Sequence, residues 1–450
     1  MTDSLNKNQH LNNALVHEKA KLAWQAAPAL AGASLDQRNR AIQSFKEILH
    51  QNRQAILDAN QADASAMQLS AAQFKNGRMS IDNAKIDTLL SGFEALVAMD
   101  DPIGAIDLAR QLDDELNLYR VTCPIGVIGI IFEARPDVLP QIAALTLKSG
   151  NAVLLKGGRE VEQTNKILFN CLQEALTQSG LPTAGAALLE SRADVVEMLK
   201  ADRYIDLIIP RGSNQLVTYI QSNTRIPVLG HAEGICHVYV HHSADLKKAL
   251  NVVVDAKVDF PSACNSAEVL LLDQALDETS KLAILKALAD QDVDLRLSPI
   301  LLELLRNEGN AVATHKIQAA QAEDFDCEWG SLVISVKEVD GVGEAIEHVN
   351  EHSSGHTDSI VCEDHSAWEL FSGQVRSAGV YRNASTRFAD GYRYGFGAEV
   401  GISTSKLPPR GPVGLEGLTT YKYKLEGQGH AVGDYSRGTS SFTHKTLPLE

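Results

Sequence analysis

Between residues 125 and 230 the chain alternates short apolar runs with longer amphipathic ones, and few folds accept such a text. GVIGIIF and the AVLL of AVLLK (152–156) lack polar residues at period two, so each suits a strand buried on both faces of a parallel sheet. PDVLPQIAALTLKSGN and VEQTNKILFNCLQEALTQSG carry apolar residues at helical spacing, and each closes on a glycine past its last turn. AALLE, SRADVVEMLKA, IDLIIP, SNQLVTYIQSN and IPVLG continue the alternation. Five buried strands separated by helices predict a doubly wound α/β domain.

The flanks read differently. Residues 10–100 predict helices. In SLDQRNRAIQSFKEILHQNRQAILDAN, Ser34 and Gln37 form an expected capping box ahead of Ala41, Ile42, Phe45, Ile48 and Leu49. MDDPIG breaks that pattern, and LARQLDDELNLYRVT suits a strand or hairpin. From about residue 231 the runs HVYVHH, AEVLLLD, SLVISVK and DSIVCE mix with amphipathic stretches and predict a second α/β domain. LTTYKYKLEG alternates like a strand, and the polar HAVGDYSRGTSSFTHKTLPLE is expected to be irregular and peripheral.

A length of 450 residues fits two or three domains. The net charge of -16 argues against nucleic acid and against an anionic membrane surface. It leaves room for a small anionic ligand, which needs only a local cluster of cations and N–H groups. Six cysteines without a C-x-x-C suit a reduced, cytoplasmic protein. MTDSLNKNQH has no apolar core, so no signal peptide is expected, and no run has the length of a membrane span.

Neither a P-loop nor a G-x-G-x-x-G is present. Two strand-to-helix junctions are candidates for holding phosphate: LLKGGRE, with Lys156 and Arg159, and IIPRGSN, with Gly212 and Ser213. Both also read as ordinary turns. Cys264, in FPSACNSAE, differs from the other cysteines in having only small and polar neighbours, which leaves space for a substrate. A helix starting there would favour its thiolate; the competing reading is a buried core thiol. Glu268 on the same helix would point away from it. His348, His352 and His356 recur every fourth residue, but Ser353–Gly355 should end the helix before His356, and no further ligand completes a metal site.

CPIGVIGIIFEARPD, NAVLLKGGRE, IIPRGSN, PVLGHAEGICHVYV, FPSACNSAE, CEWGSLVISV, HSSGHTDSI and YGFGAEVGISTSKLPPRGPVGLEGLTTYKYK occur in this order. Together they resemble the gamma-glutamyl phosphate reductases, a branch of the aldehyde dehydrogenase superfamily, over nearly the whole chain. The resemblance implies a Rossmann-like cofactor domain (1–104 and 122–230), an α/β catalytic domain (231–405), and a β-hairpin for oligomerisation with the C-terminal tail (105–121 and 406–450). It implies Cys264 as the nucleophile, a homo-oligomer, and the substrate L-glutamate 5-phosphate, with glutamate 5-kinase as a candidate partner.

Further positions take meaning from the same resemblance. Lys156 falls at the adenine ribose. Arg159 stands where NAD-preferring relatives often place a glutamate, which favours NADPH, since a guanidinium pairs with a 2′-phosphate. Arg135 replaces the asparagine beside the oxyanion, with an ion pair to Glu133 or Asp137 as the other reading. Val228 stands where hydrolysing relatives carry the general-base glutamate, so a thioester here would meet no base to activate water. Glu328 falls at the nicotinamide ribose, and Gly212 and Ser213 at the pyrophosphate. Arg382, Asn383 and Arg387, in VYRNASTRF, are the candidates for the substrate's amino and carboxylate groups.

Overall fold

The continuous apolar runs become a parallel sheet. The computed structural model describes residues 2–449 except 71–72, 75–76, 231–232 and 308–316, with side chains from residue 14 onward. It divides the chain into two units: Met1–Leu229, Phe396–Gly401 and Val413–Glu450 form the first, and Gly230–Gly395 with Ile402–Pro412 the second.

In the first unit four parallel strands run in the order Ala186–Leu189, Ala152–Lys156, Val127–Phe132, Leu207–Arg211. Every residue of Val127–Phe132 and Ala152–Lys156 is buried, as the absence of alternation requires. Burying each large aliphatic side chain stabilises the sheet by about 1.5–3 kcal/mol. The fifth expected strand, IPVLG, makes only a single bridge, Val228 to Ile208. Pro227 has no N–H to extend the ladder.

The N-terminal helices pack on this core. Leu35–Gln51 buries Ala41, Ile42, Phe45, Ile48 and Leu49 on one face, and Phe45 meets Phe93 with ring centroids 5.3 Å apart. Ser34 caps this helix through the Gln37 N–H at 3.2 Å. The expected box does not close, because the Gln37 amide donates instead to the Ser179 carbonyl at 3.2 Å. The MDDPIG break is a polar knot: buried Arg38 forks onto Asp101 at 2.7 and 2.9 Å, and buried Lys148 donates to the Met99 carbonyl at 2.7 Å.

The hairpin forms as Ile106–Asp113 and Leu116–Pro124, in an antiparallel sheet with Thr419–Glu426 and Lys445–Thr446. The polar tail is therefore tied down. Lys445 and Thr446 pair with Gln111 and Arg110, and Tyr435 stacks on Phe442 at 4.2 Å while donating to Asp113.

The second unit holds a seven-stranded parallel sheet ordered Ile317–Ala319, Asp294–Leu297, Val333–Val339, Ala267–Asp273, Cys236–Val240, Thr357–Val361, Gly379–Arg382. Helices Leu246–Val258, Glu278–Ala289, Gly341–His352 and His365–Gln374 bury apolar faces against it.

Candidate active site

A cavity of about 1090 Å³ opens at the C-terminal ends of the first unit's strands. Val195, Val196, Leu216 and Tyr219 give it apolar walls, while Lys156, Arg159 and Arg192 bring cations. The turn Gly157–Gly158 is glycine for reasons of space: a Cβ on Gly157 would lie 2.1 Å from the Asn165 amide and 2.9 Å from the Phe132 ring. Lys156 is buried, its ammonium donates to the Gly157 carbonyl, and burial holds its pKa below the ordinary lysine value. Among the cavity's carboxylates, Glu162 and Glu190 are engaged by Lys166 at 2.7 and 3.3 Å. No carboxylate reaches ion-pair distance of Arg159 or Arg192 among the described residues. Apolar walls with unengaged cations fit a flat ring that carries phosphate.

The second junction is less open. The Glu133 carboxylate accepts from the Ser213 N–H at 2.7 Å and from its hydroxyl at 3.2 Å. A Cβ on Gly212 would also meet that carboxylate at 2.7 Å. The start of helix Asn214–Ser222 is thus occupied by an anion of the chain itself, at Gly212 and Ser213. Arg135 is 46% exposed and pairs weakly with Asp137 at 3.6 Å, the structural alternative that its neighbours suggested.

In the second unit Cys264 lies in the turn between helix Leu246–Val258 and strand Ala267–Asp273, partly exposed. No helix begins there, so the condition for a helix dipole behind the thiolate is not met. Strong anchors hold the turn instead. The Asn265 amide donates to the Ala389 carbonyl at 2.9 Å, Thr386 donates to the Asn265 carbonyl at 2.7 Å, and Arg387 donates to the Asn265 side chain. Gly234 backs the nucleophile so closely that a Cβ would stand 2.3 Å from the Cys264 carbonyl oxygen. Facing the sulfur is a group that sequence reasoning set aside: His356 Nε2 lies 3.4 Å from Cys264 Sγ.

Glu268 sits on the strand, not on a helix, and is fully buried against Lys257 at 2.5 Å. Its other oxygen accepts the Gly330 N–H at 3.2 Å, which ties the Cys327–Gly330 segment bearing Glu328 to the nucleophile's own strand. Burial pushes the Glu268 carboxyl up to about 7 and pulls Lys257 down.

A model of the aldehyde dehydrogenase family matches residues 2–297. A gamma-glutamyl phosphate reductase of Trichodesmium erythraeum is 45% identical over 430 residues, covering 95% of this chain and 98% of the relative. That of Acetivibrio thermocellus is 45% identical over 433 residues, covering 96% and 98%. The chain belongs to the aldehyde dehydrogenase family, in its gamma-glutamyl phosphate reductase branch. The solved gamma-glutamyl phosphate reductase of Thermotoga maritima matches with a TM-score of 0.88 at 36% identity, covering 92% of this chain and 99% of that one. An acetylating aldehyde dehydrogenase of Geobacillus thermoglucosidasius shares the fold at 18% identity, with a TM-score of 0.64. The family works with a nicotinamide cofactor. Among the described residues no helix is long and apolar enough to cross a membrane.

Within this family fold the expected substrate residues separate. Arg387 stays at the nucleophile's turn, bridging Asn265 and Asp259, the latter at 3.1 Å. Arg382 and Asn383 do not. Arg382 donates to the Glu363 carbonyl at 3.0 Å, and Asn383 accepts the Cys362 N–H at 2.9 Å. They close the far end of strand Thr357–Val361, five residues beyond His356, which is about 17 Å at the rise of an extended strand. The three histidines separate too. His348 is buried between Phe325 and His237, and burial drives its pKa down to about 2. His352 turns to Asp326 at 2.7 Å, and His356 to Cys264. The sequence signal for His356 was HTD, a polar triplet opening a strand whose other residues are apolar or small.

Proposed function

We propose that this chain reduces L-glutamate 5-phosphate to L-glutamate 5-semialdehyde with release of phosphate, using NADPH, in cytoplasmic proline biosynthesis. The carrying observation is Cys264, partly exposed in an anchored turn with Gly234 close behind it, in a chain 45% identical to gamma-glutamyl phosphate reductases over nearly its full length. The Cys264 thiolate attacks the acyl carbonyl, and its backbone N–H with the half-exposed Arg135 steadies the oxyanion. Phosphate departs and a thioester remains on Cys264. Val228, fixed by its bridge to Ile208, offers no base for water, so the thioester survives to be reduced. A nicotinamide cofactor bound here supplies the hydride for that reduction.

The residues proposed to hold the cofactor are Lys156 at the ribose, Arg159 at a 2′-phosphate, and Glu328 at the second ribose. Gly212 and Ser213 serve the pyrophosphate once Glu133 swings off them. Arg387 is the proposed cation for the substrate's carboxylate. A kinase must supply the acyl phosphate, and glutamate 5-kinase is the proposed source. Tyr421, Tyr423 and Leu425, all more than half exposed on strand Thr419–Glu426, support a homo-oligomer built on that sheet.

The test is NADP reduction by glutamate 5-semialdehyde, with and without phosphate, on the wild type and Cys264→Ser. The wild type should require phosphate and the variant should be inactive. Phosphate-independent turnover, or full activity in Cys264→Ser, would overturn the proposal.

A further inference from the structure

We infer that His356 is the proton carrier of the reaction: its imidazole takes the Cys264 thiol proton and hands it to the phosphate as that group departs. The inference rests on the acyl-phosphate reading above. Its first support is placement. His356 Nε2 is 3.4 Å from Cys264 Sγ, and the ring is almost fully buried, immediately before strand Thr357–Val361. Its second support is how the other ring nitrogen is held. Nδ1 lies 2.9 Å from the Thr357 hydroxyl. That hydroxyl also reaches the Tyr381 phenol, which is hydrogen-bonded to Tyr394. When Nδ1–H donates to Thr357, Nε2 presents its lone pair to the sulfur.

The third support is the charge that is kept away. Asp358 is buried too, but its oxygens are committed to the His237 N–H at 2.6 Å, to Ser353 at 2.7 Å and to Ser377. A hydroxyl therefore orients the imidazole at Nδ1, and the proton is taken and released at Nε2. Among the described residues, the titratable and charged groups near the pair include the Cys236 thiol, which donates to the Cys264 carbonyl at 3.4 Å, Arg387 on Asn265, and the Lys257–Glu268 pair.

The chemistry gives the proton a destination. Attack on the acyl phosphate forms the C–S bond and breaks the C–O bond to phosphate. The departing group would be the trianion, a strong base, unless it is protonated as it leaves. The thiol's proton, held on Nε2, meets that need and leaves as part of hydrogen phosphate. After hydride reaches the thioester carbonyl, the tetrahedral oxyanion collapses to the aldehyde and expels the Cys264 thiolate. One proton from solvent then restores the pair, which matches the single proton the overall reduction consumes.

The experiment reads the thiol directly. Alkylation of Cys264 by iodoacetamide is followed against pH by peptide mass spectrometry, in the wild type, His356→Gln and Thr357→Val. The wild type should react well below the titration of an ordinary thiol, and His356→Gln should move its profile up to that ordinary range. In a second arm, His356→Gln should lose about 100-fold in acyl-phosphate turnover. It should lose less than about fivefold in acylation by 4-nitrophenyl acetate at a pH where the thiol is already ionised, since that leaving group needs no proton. Thr357→Val should fall between the two. If His356→Gln does not fold, His356→Asn takes its place, and the wild-type profile alone still decides: a single inflection at the ordinary thiol value overturns the inference. So does an unchanged profile in the variant. Activity surviving in Cys264→Ser would instead overturn the underlying reaction, so the two failures are distinguishable.

Discussion

The two parallel sheets place their candidate chemistry at opposite ends of their strands. In the first unit Glu133, Lys156 to Arg159, Glu190 and Ser213 all stand at or just beyond strand C-termini, around one cavity. In the second unit Gly234, Cys264 and His356 all stand just before strand N-termini. That sheet's C-terminal edge holds His241, His242 and Asp273, with Arg382 and Asn383. Ligands of open α/β sheets usually gather where strands end. The first unit follows that rule, while in the second the nucleophile is fixed by a turn entering a strand. The anchors differ accordingly: Gly157 makes room for the Asn165 amide and the Phe132 ring, whereas Gly234 makes room for the backbone of the nucleophile itself.

The sharpest way to break this contrast is Gly234→Ala. Its methyl would push the Cys264 turn, and displacing a nucleophile by about 1 Å costs on the order of 100-fold in rate. Steady-state kinetics should show that loss in kcat with a smaller change in the cofactor's KM. An unaltered kcat would mean the turn is not held from behind. Arg159→Glu tests the other edge. It should lower kcat/KM for NADPH by about 10- to 100-fold, the worth of a charged hydrogen bond, and leave NADH little changed. An equal fall for both cofactors would remove the 2′-phosphate assignment.

Glu268→Gln gives a smaller effect, read as a pH slope. The folded-state pKa of Glu268, about 7, lies above its ordinary 4.5. The folded protein thus binds more protons between those values, and the wild type loses stability as pH rises through that window, by at most about 1.4 kcal/mol per pH unit. Glu268→Gln should flatten the slope in chemical denaturation run from pH 4.5 to 7, and an unchanged slope would contradict the assignment. Arg382→Ala should change least. Its fork closes a strand end far from Cys264, so kcat should hold within about threefold while stability falls by about 1 kcal/mol. A large loss of activity would return Arg382 to the substrate.

Most of this was legible where burial leaves no choice. Val127–Phe132 and Ala152–Lys156 announce themselves because a strand covered on both faces shows no alternation. IPVLG carried the same signal, but Pro227 limits it to one bridge. The tail looked peripheral because its composition is polar, and the stacking of Tyr435, Phe442 and His444 leaves no periodic trace. At the site, Cys264 stood out by its neighbours. Arg382, Asn383 and Arg387 read alike in one short segment, yet the chain turns between them, with Asn383 at φ 52°. His356 escaped because its partner is 92 residues away; a shared period with His348 and His352 suggested company the fold does not give it.

The central claim is that Cys264 carries the glutamyl group. With glutamate 5-semialdehyde and NADP but no phosphate, the reverse reaction should stop at the acyl-enzyme. Peptide mass spectrometry of the quenched wild type should find a glutamyl adduct on Cys264 that phosphate discharges. An adduct on another residue, or none on Cys264 while NADP is being reduced, would contradict the account.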